Sequence, residues 1–518
     1  MRKWFRCLGG VVAVVGLLGL ATNANGESCS LELKKVDTNS SSRADYIFRA
    51  TYPQHFSVPI TEGIRFGRQN DLPKFADVIK KEPEKYQAKH PVRGVIKLGS
   101  QSFGYVLDSS AKGTGDEKEK EAEAEAEESG GLLSSLSRML TGEKAESKRP
   151  KSFQVVPYDR LYFDRDHDGD LTEEKVIEAR STSSYGDRNY FATSFPRIDV
   201  AIEIDSTKLE YAFTLRVTAH GSGAYGYLSG SVNSAVYREG EITLAGKKHR
   251  VVLIDFNSNG RFDDEPAINT SIRMPDGKVY ATPADRLYVD PDLNAASRDA
   301  YDVTTGDDAY AVSKLIHLDE RFYELTVSPA GDKLTLEASD VAVGYVSNPN
   351  RSFRAVVYGD QGFLKIRSDE SGKAPLPIGS WKLQAYRLDR TGMEEPKKTD
   401  SESEPSVLGL LTEALGPTMA ARAPRSTIVS ATATVKYEAV EVKEGQTAEL
   451  PFGPPYRPAV DVQYPQGANQ VSLGMSLIGS ADEVCTDMRI NGNRPGKPKF
   501  TIATADGKTV ADGEFEYG

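Results

Sequence analysis

The chain runs to 518 residues, of which 39% are hydrophobic; at ~100–200 residues per domain this supplies several cores and excludes a wholly disordered chain. Its 75 acidic and 64 basic side chains leave a formal net charge of -11, a field that repels phosphate and argues against a nucleic-acid partner. Three cysteines exclude a disulfide-dense scaffold.

Residues 1–26 open on Met1-Arg2-Lys3-Trp4-Phe5-Arg6, continue through an apolar run over residues 7–21, and end on small residues around Ala24 and Gly26. A basic start, an apolar stretch of this length and small residues after it predict a secretory signal peptide cleaved after Ala24 or Gly26. Glu27 argues against a lipoprotein cleavage box. No later stretch reaches the ~20 apolar residues that span a bilayer. The mature chain is therefore expected to be secreted, periplasmic or at the cell surface, with no membrane span. Cys29 and Cys485 would remain in it, and one bridge or two free thiols are both open there.

Most of the mature chain reads as strands. Residues 46–52 and 435–442 are rich in β-branched and aromatic side chains with stretches of near period-two alternation. Residues 72–86 are the one clear helical candidate, with Pro83 interrupting it. Near the C-terminus, Asp506-Gly507 predicts a hairpin turn between residues 500–503 and 508–510. Two inserts break the pattern, residues 116–148 and 393–425. Each has a charged run, then an apolar stripe at helical spacing: Leu132, Leu133, Leu136, Met139 and Leu140 in one, Leu408, Leu411 and Leu415 in the other. Solvated loops are expected, with packing of the two stripes on each other or on a partner as the sharper alternative.

The chain also echoes itself. Residues 94–108 resemble residues 240–255, and Asp159-Arg160-Leu161-Tyr162-Phe163-Asp164 matches Asp285-Arg286-Leu287-Tyr288-Val289-Asp290, in the same order. A duplicated β unit is expected, each copy a strand ending in Asp (Asp108, Asp255), a variable loop, and a second strand ending in Asp.

Two short segments carry the chemistry. In Asp164-Arg165-Asp166-His167-Asp168-Gly169 a turn brings Asp164, Asp166 and Asp168 together, and Gly169 makes the bend. Asp170 would then give its carbonyl at position 7, with Thr172 at position 9. Asp255-Phe256-Asn257-Ser258-Asn259-Gly260 repeats the scheme with Asp255, Asn257 and Asn259, Arg261 as carbonyl donor and Asp263 at position 9. Position 8 is apolar in both, Leu171 and Phe262. These segments resemble the calcium loops of EF-hands and dockerins over about a dozen residues each, and the resemblance implies Ca2+ as ligand. They depart from it at position 12, where Lys175 and Pro266 stand, so Glu174 and Glu265 are the candidates for the missing acid. Without the bidentate Glu, affinity is expected at ~10⁻⁴–10⁻³ M, so millimolar calcium stabilises each site by about 0.4–1.4 kcal/mol. A third acidic stretch from Asp290 to Asn294 lacks the glycine and is a weaker candidate.

Downstream, residues 353–366, Leu376-Pro377-Ile378-Gly379-Ser380-Trp381-Lys382-Leu383 and Val440-Glu441-Val442-Lys443-Glu444-Gly445-Gln446-Thr447 resemble carboxypeptidase-regulatory-like, Ig-like sandwiches over residues 341–456. Trp381 is expected in the core. There is no H-E-x-x-H, G-x-S-x-G, P-loop or G-x-G-x-x-G, and six histidines are scattered, so no enzyme is expected. One enzymatic alternative pairs Asp108 with Asp255 as in aspartic proteases, although the Asp-Thr/Ser-Gly they require is missing. A carbohydrate-binding role is the other alternative, from the Tyr/Gly/Ser stretch over residues 220–231.

The expected fold is mainly β: a duplicated β unit with calcium loops over residues 27–235 and 236–340, an Ig-like β-sandwich over residues 341–456, and a small β domain over residues 457–518. The expected role is that of a secreted calcium-binding structural or surface-interaction protein, with an extracellular protein or a glycan as partner.

Overall fold

The computed structural model describes residues 26–38, 51–61, 72–111, 153–184, 189–222, 225–272, 274, 276–292, 306, 308–391, 426–464 and 471–517. The signal-peptide segment before residue 26, both inserts and most of residues 46–52 lie outside the described residues.

The architecture is mainly β, built from largely antiparallel sheets, with Val343–Ser347 and Thr447–Glu449 paired in parallel. Alternation does what it predicts. In Ile198–Ile204 every second residue is buried, and Ile198, Val200, Ile202 and Ile204 enter the core. The strand turns back at Asp205-Ser206, both at positive φ, into Thr207–Ser222, the longest strand. That strand is the middle of a six-stranded sheet whose inner face packs on two strand triplets.

The triplets are the two halves of the sequence echo. Val92–Leu98, Gln101–Asp108 and Arg160–Phe163 form one; Val236–Leu244, Lys247–Ile254 and Arg286–Val289 form the other. Both fold at two-residue turns with a glycine at positive φ, Gly99 in one and Gly246 in the other. Their registers agree: Leu98 faces Gln101 as Leu244 faces Lys247, and Leu107 faces Leu161 as Leu253 faces Leu287.

This agreement corrects the expected equivalence of the two acids. Both second strands are eight residues long, ending on Asp108 and on Ile254, so Asp255 lies one residue further on. A one-residue step reverses the face of a strand. Asp108 therefore points outward, to the backbone N–H groups of Gln87 and Ala88, while Asp255 points inward, to the Tyr211 hydroxyl of the central core.

The domain boundaries also shift. One hydrophobic cluster runs from Leu31 to Leu336, so residues 235 and 236 divide a single core rather than two domains. The N-terminal strands knit it: Glu27–Ser30 pairs with Lys333–Ala338, and Glu32–Lys35 pairs with Val236–Leu244. Buried Arg238 donates to the carbonyls of Leu31 and Ala330, which fixes this crossing.

The second core lies between a three-stranded sheet and a large sheet built around Phe353–Gly359 and Gly379–Asp389. Trp381 sits inside it, 1% exposed, with its indole N–H donating to Pro377 O. Val484–Arg489 pairs with Ile428–Thr432, so the chain after residue 457 continues this sheet instead of starting a new unit. Only the hairpin Lys499–Ala503/Thr509–Glu514 stands apart as a separate sheet, turning at Gly507 as the sequence predicts.

Two local expectations fail. The helix over residues 72–86 is a single turn, Phe75–Val78: the backbone is already extended at Ile79, ahead of Pro83, and Ile79 alone of this stretch is buried, too little apolar surface to hold a longer helix. The strand over residues 435–442 shrinks to Val440–Val442, since the preceding residues turn at Tyr437 to place its ring in the core. Among the described residues no helix is long and apolar enough to cross a membrane. Cys29 and Cys485 are free thiols, each raised by burial, Cys485 to about 11.

Candidate metal centre

The two Asp/Asn loops share one backbone. Position 4 is left-handed in both, His167 at φ 61° and Ser258 at φ 61°, and so is position 6, Gly169 at 81° and Gly260 at 88°. The position-1 carboxylate accepts the position-5 N–H at 3.1 Å in each, from Asp168 and from Asn259. The position-5 side chain then accepts the position-7 N–H, at 2.7 Å from Asp170 and 2.8 Å from Arg261. Position 8 is wholly buried in both, and its N–H leaves the loop: Leu171 donates to Lys81 O and Phe262 to Pro329 O.

They differ in what converges on the centre. In the first loop Asp164, Asp166 and Glu174 each bring a carboxylate oxygen within 4.8 Å of the others, and so do Asp166, Asp168 and Glu173. Asp164 is 1% exposed; Oδ1 takes the Asp168 and Gly169 N–H groups, whereas Oδ2 is buried with no hydrogen-bond partner. Burial raises the Asp164 carboxyl above its ordinary range. Glu173 is raised by its hydrogen bond to Asp168, two acids crowded together. Such a cluster could hold a metal ion.

The remaining residues of the first loop face elsewhere. Asp170 turns its carboxylate to Lys81 at 2.5 Å and to the Thr172 N–H and hydroxyl. The Lys81 hydrogen bond, then those of Thr172, hold it down at about 2. Its side chain is thus occupied, as is that of Thr172, and position 7 has only its carbonyl to offer. Glu174 also accepts the Arg165 N–H at 2.7 Å and its guanidinium at 2.9 Å. His167 lies against the Phe103 ring, with Nε2 3.1 Å from Ser102 O.

In the second loop, donors fill the place of an ion. Asp255 accepts the Tyr211 hydroxyl at 2.6 Å, the Gly260 N–H at 2.9 Å and the Asn259 N–H. Its carboxyl is nonetheless lifted to about 7 by burial. The amides of Asn257 and Asn259 both donate to Asp264, at 3.1 and 2.7 Å. Asp263 is bidentate on the Arg261 guanidinium, and Glu265 is exposed. Among the described residues no trio of acids at this loop brings its oxygens within 4.8 Å of one another, although Asp255, Asp264 and Asp285 are near neighbours.

Four participants escaped the sequence reading: Glu173, Asp264, Asp285 and Tyr211. Glu173 and Asp264 are both position 10, and the acid pair at positions 10 and 11 was the available signal. Asp285 is wholly buried, accepts the N–H groups of Phe256 and Asp264, and is raised well above its ordinary range by burial and by Asp255.

The remaining candidates have structural occupations. Asp108 accepts the Gln87 and Ala88 N–H groups and pairs with Arg160 at 3.4 Å. Asp290 accepts from His249 and from the Arg250 N–H. In the tyrosine-rich stretch, His220 stacks on Tyr227 at 4.7 Å, and Tyr190 meets it edge-on.

No protein-family model, curated protein or solved structure matches this chain.

Proposed function

We propose that this is an exported, calcium-stabilised β protein with a structural or surface-interaction role, in which the loop from Asp164 to Glu174 holds Ca2+. The observation that carries the reading is the buried, unpartnered Oδ2 of Asp164 beside the oxygens of Asp166 and Glu174. An unmade bond on a buried carboxylate oxygen costs about 1–3 kcal/mol or more, and a cation makes good that loss. The nearby donors are oxygens, and the one imidazole in the loop packs on Phe103, which favours a hard cation over zinc. Export rests on the basic, apolar and small-residue order of residues 1–26.

The second loop has the same backbone but satisfies its own acceptors through Tyr211, Asn257 and Asn259. Our reading makes it a metal-independent copy. Thermal melts in calcium and in chelator test both statements, using wild type, Asp164→Ala and Asp255→Ala. Millimolar calcium raises the wild-type Tm by about 1–2 °C, from ~0.4–1.4 kcal/mol of binding. Asp164→Ala loses that shift and Asp255→Ala, though destabilised, keeps it. A wild-type chain with no calcium-dependent shift and no binding heat overturns the proposal.

A further inference from the structure

Residues 72–86, where a helix was expected, form a strap across the outer face of the first triplet. The strap contributes one helical turn, Phe75–Val78, and one deeply buried apolar side chain, Ile79. Ile79 enters a small cluster with Val106, Tyr162 and Leu171, flanked by Phe75, Val78, Tyr86 and Val176. Gly104 admits it, since a Cβ there would collide with the Ile79 side chain. At the strap's far end the Gln87 and Ala88 N–H groups donate to the buried Asp108 carboxylate.

Between these points the strap is bonded to the first Asp loop. The Lys80 and Lys81 N–H groups donate to Gly169 O at 2.8 and 3.1 Å. The Leu171 N–H returns a bond to Lys81 O at 3.0 Å, and the Lys81 ammonium meets Asp170 at 2.5 Å. Positions 6, 7 and 8 of the loop are thus all engaged by the strap. The second loop is bonded differently: Tyr52, Gln54 and Gly99 meet its positions 2, 4 and 5, while its position 8, Phe262, is buried in the central core, bonded to Pro329 O and packed on Gly331.

We propose that calcium at the first loop governs whether this strap stays docked. The inference rests on the calcium reading above. Filling the loop fixes Gly169 O, Asp170 and the Leu171 N–H, the groups the strap is bonded to. Emptying it leaves crowded carboxylates that the loop relieves by moving, and the bonds to Lys80 and Lys81 go with it. Undocking uncovers Val106, Tyr162 and Leu171. The coupling is reciprocal, so loosening the strap weakens calcium binding.

Amide hydrogen exchange on the full chain, with and without 1 mM Ca2+ (an assay concentration of about the ~10⁻³ M upper Kd), tests this, with calorimetry giving binding separately. If strap opening requires ion release, exchange at Lys80 and Lys81 slows by about 2- to 11-fold for Kd ~10⁻³–10⁻⁴ M. Exchange in Phe353–Gly359, in the second core, is unchanged and reports an intact fold. Ile79→Ser, which leaves every carboxylate in place, lowers calcium affinity several-fold, and Lys81→Met does so by less. Binding heat with unaltered strap exchange overturns the inference and leaves the calcium site standing. Unaltered affinity in both variants also overturns it. Absence of binding heat removes the calcium site itself, and the inference with it.

Discussion

Asp164→Asn should make the calcium-free protein more stable, although it removes a ligand. The wild-type carboxylate has one satisfied oxygen, bonded to the Asp168 and Gly169 N–H groups, and one buried oxygen with no partner. Asparagine keeps an acceptor for the two N–H groups and replaces the second oxygen with an amide beside Asp166 and Glu174, to which it can donate. The relief is of the order of an unmade bond, about 1–3 kcal/mol in chelator. Millimolar calcium adds about 0.4–1.4 kcal/mol to wild type and little to the variant, so the gap narrows in calcium. Urea unfolding followed by far-ultraviolet circular dichroism, in chelator and in calcium, reads both differences from the midpoints at constant slope. A variant less stable than wild type in chelator by more than about 1 kcal/mol would refute the reasoning, because the carboxylate would then have an internal partner.

Three further outcomes rest on the same geometry. Asp255 is wholly buried and lifted to about 7, so between pH 4 and 7 the folded chain keeps a proton that the unfolded chain has released. Stability from this group is therefore complete below pH ~4 and is lost as pH rises through about 7; Asp255→Asn lessens that fall in urea midpoints between pH 5 and 8. Parallel wild-type and variant curves would show that Asp255 does not titrate in this range. Gly104→Ala pushes Ile79 out of its seat, and an overpacking cost of ~1–3 kcal/mol raises proteolytic cleavage within residues 72–86 about 5- to 150-fold; equal cleavage rates would deny the contact. Trp381→Ala empties the middle of the second core and costs about 3–5 kcal/mol, seen as an earlier unfolding transition; a loss below 1 kcal/mol would contradict its burial.

What the sequence disclosed was what neighbours in sequence determine. Alternation and composition marked the chain as mainly β, although the segment 435–442 they singled out keeps only Val440–Val442 as strand, and the internal echo located two triplets whose registers agree. Spacing located both Asp loops down to the glycine bend and the buried position 8, because those features are set within eight residues. What it hid was set by distant segments. Nothing near Glu27 or Glu32 announces that their strands pair with Lys333–Ala338 and Val236–Leu244, and this pairing is what merges two expected domains. Tyr211, from Thr207–Ser222, and Asp285, just ahead of Arg286–Val289, reach the second loop from elsewhere in the chain. Asp108 and Asp255 looked equivalent because each follows an apolar run, and a single residue of offset, invisible without the turn register, sends them to opposite faces.

The stitching of the first strand also sets a timetable. Ser28 and its cross-strand partner Thr335 are 307 residues apart. At ~5–20 residues per second, a ribosome needs about 15–60 s to span that interval, and throughout it the leading edge of the chain has no mate. Closure of the large core is therefore a late event, limited by loop entropy and by waiting. Any helper that shields nascent segments would find a long-lived target in Glu27–Ser30.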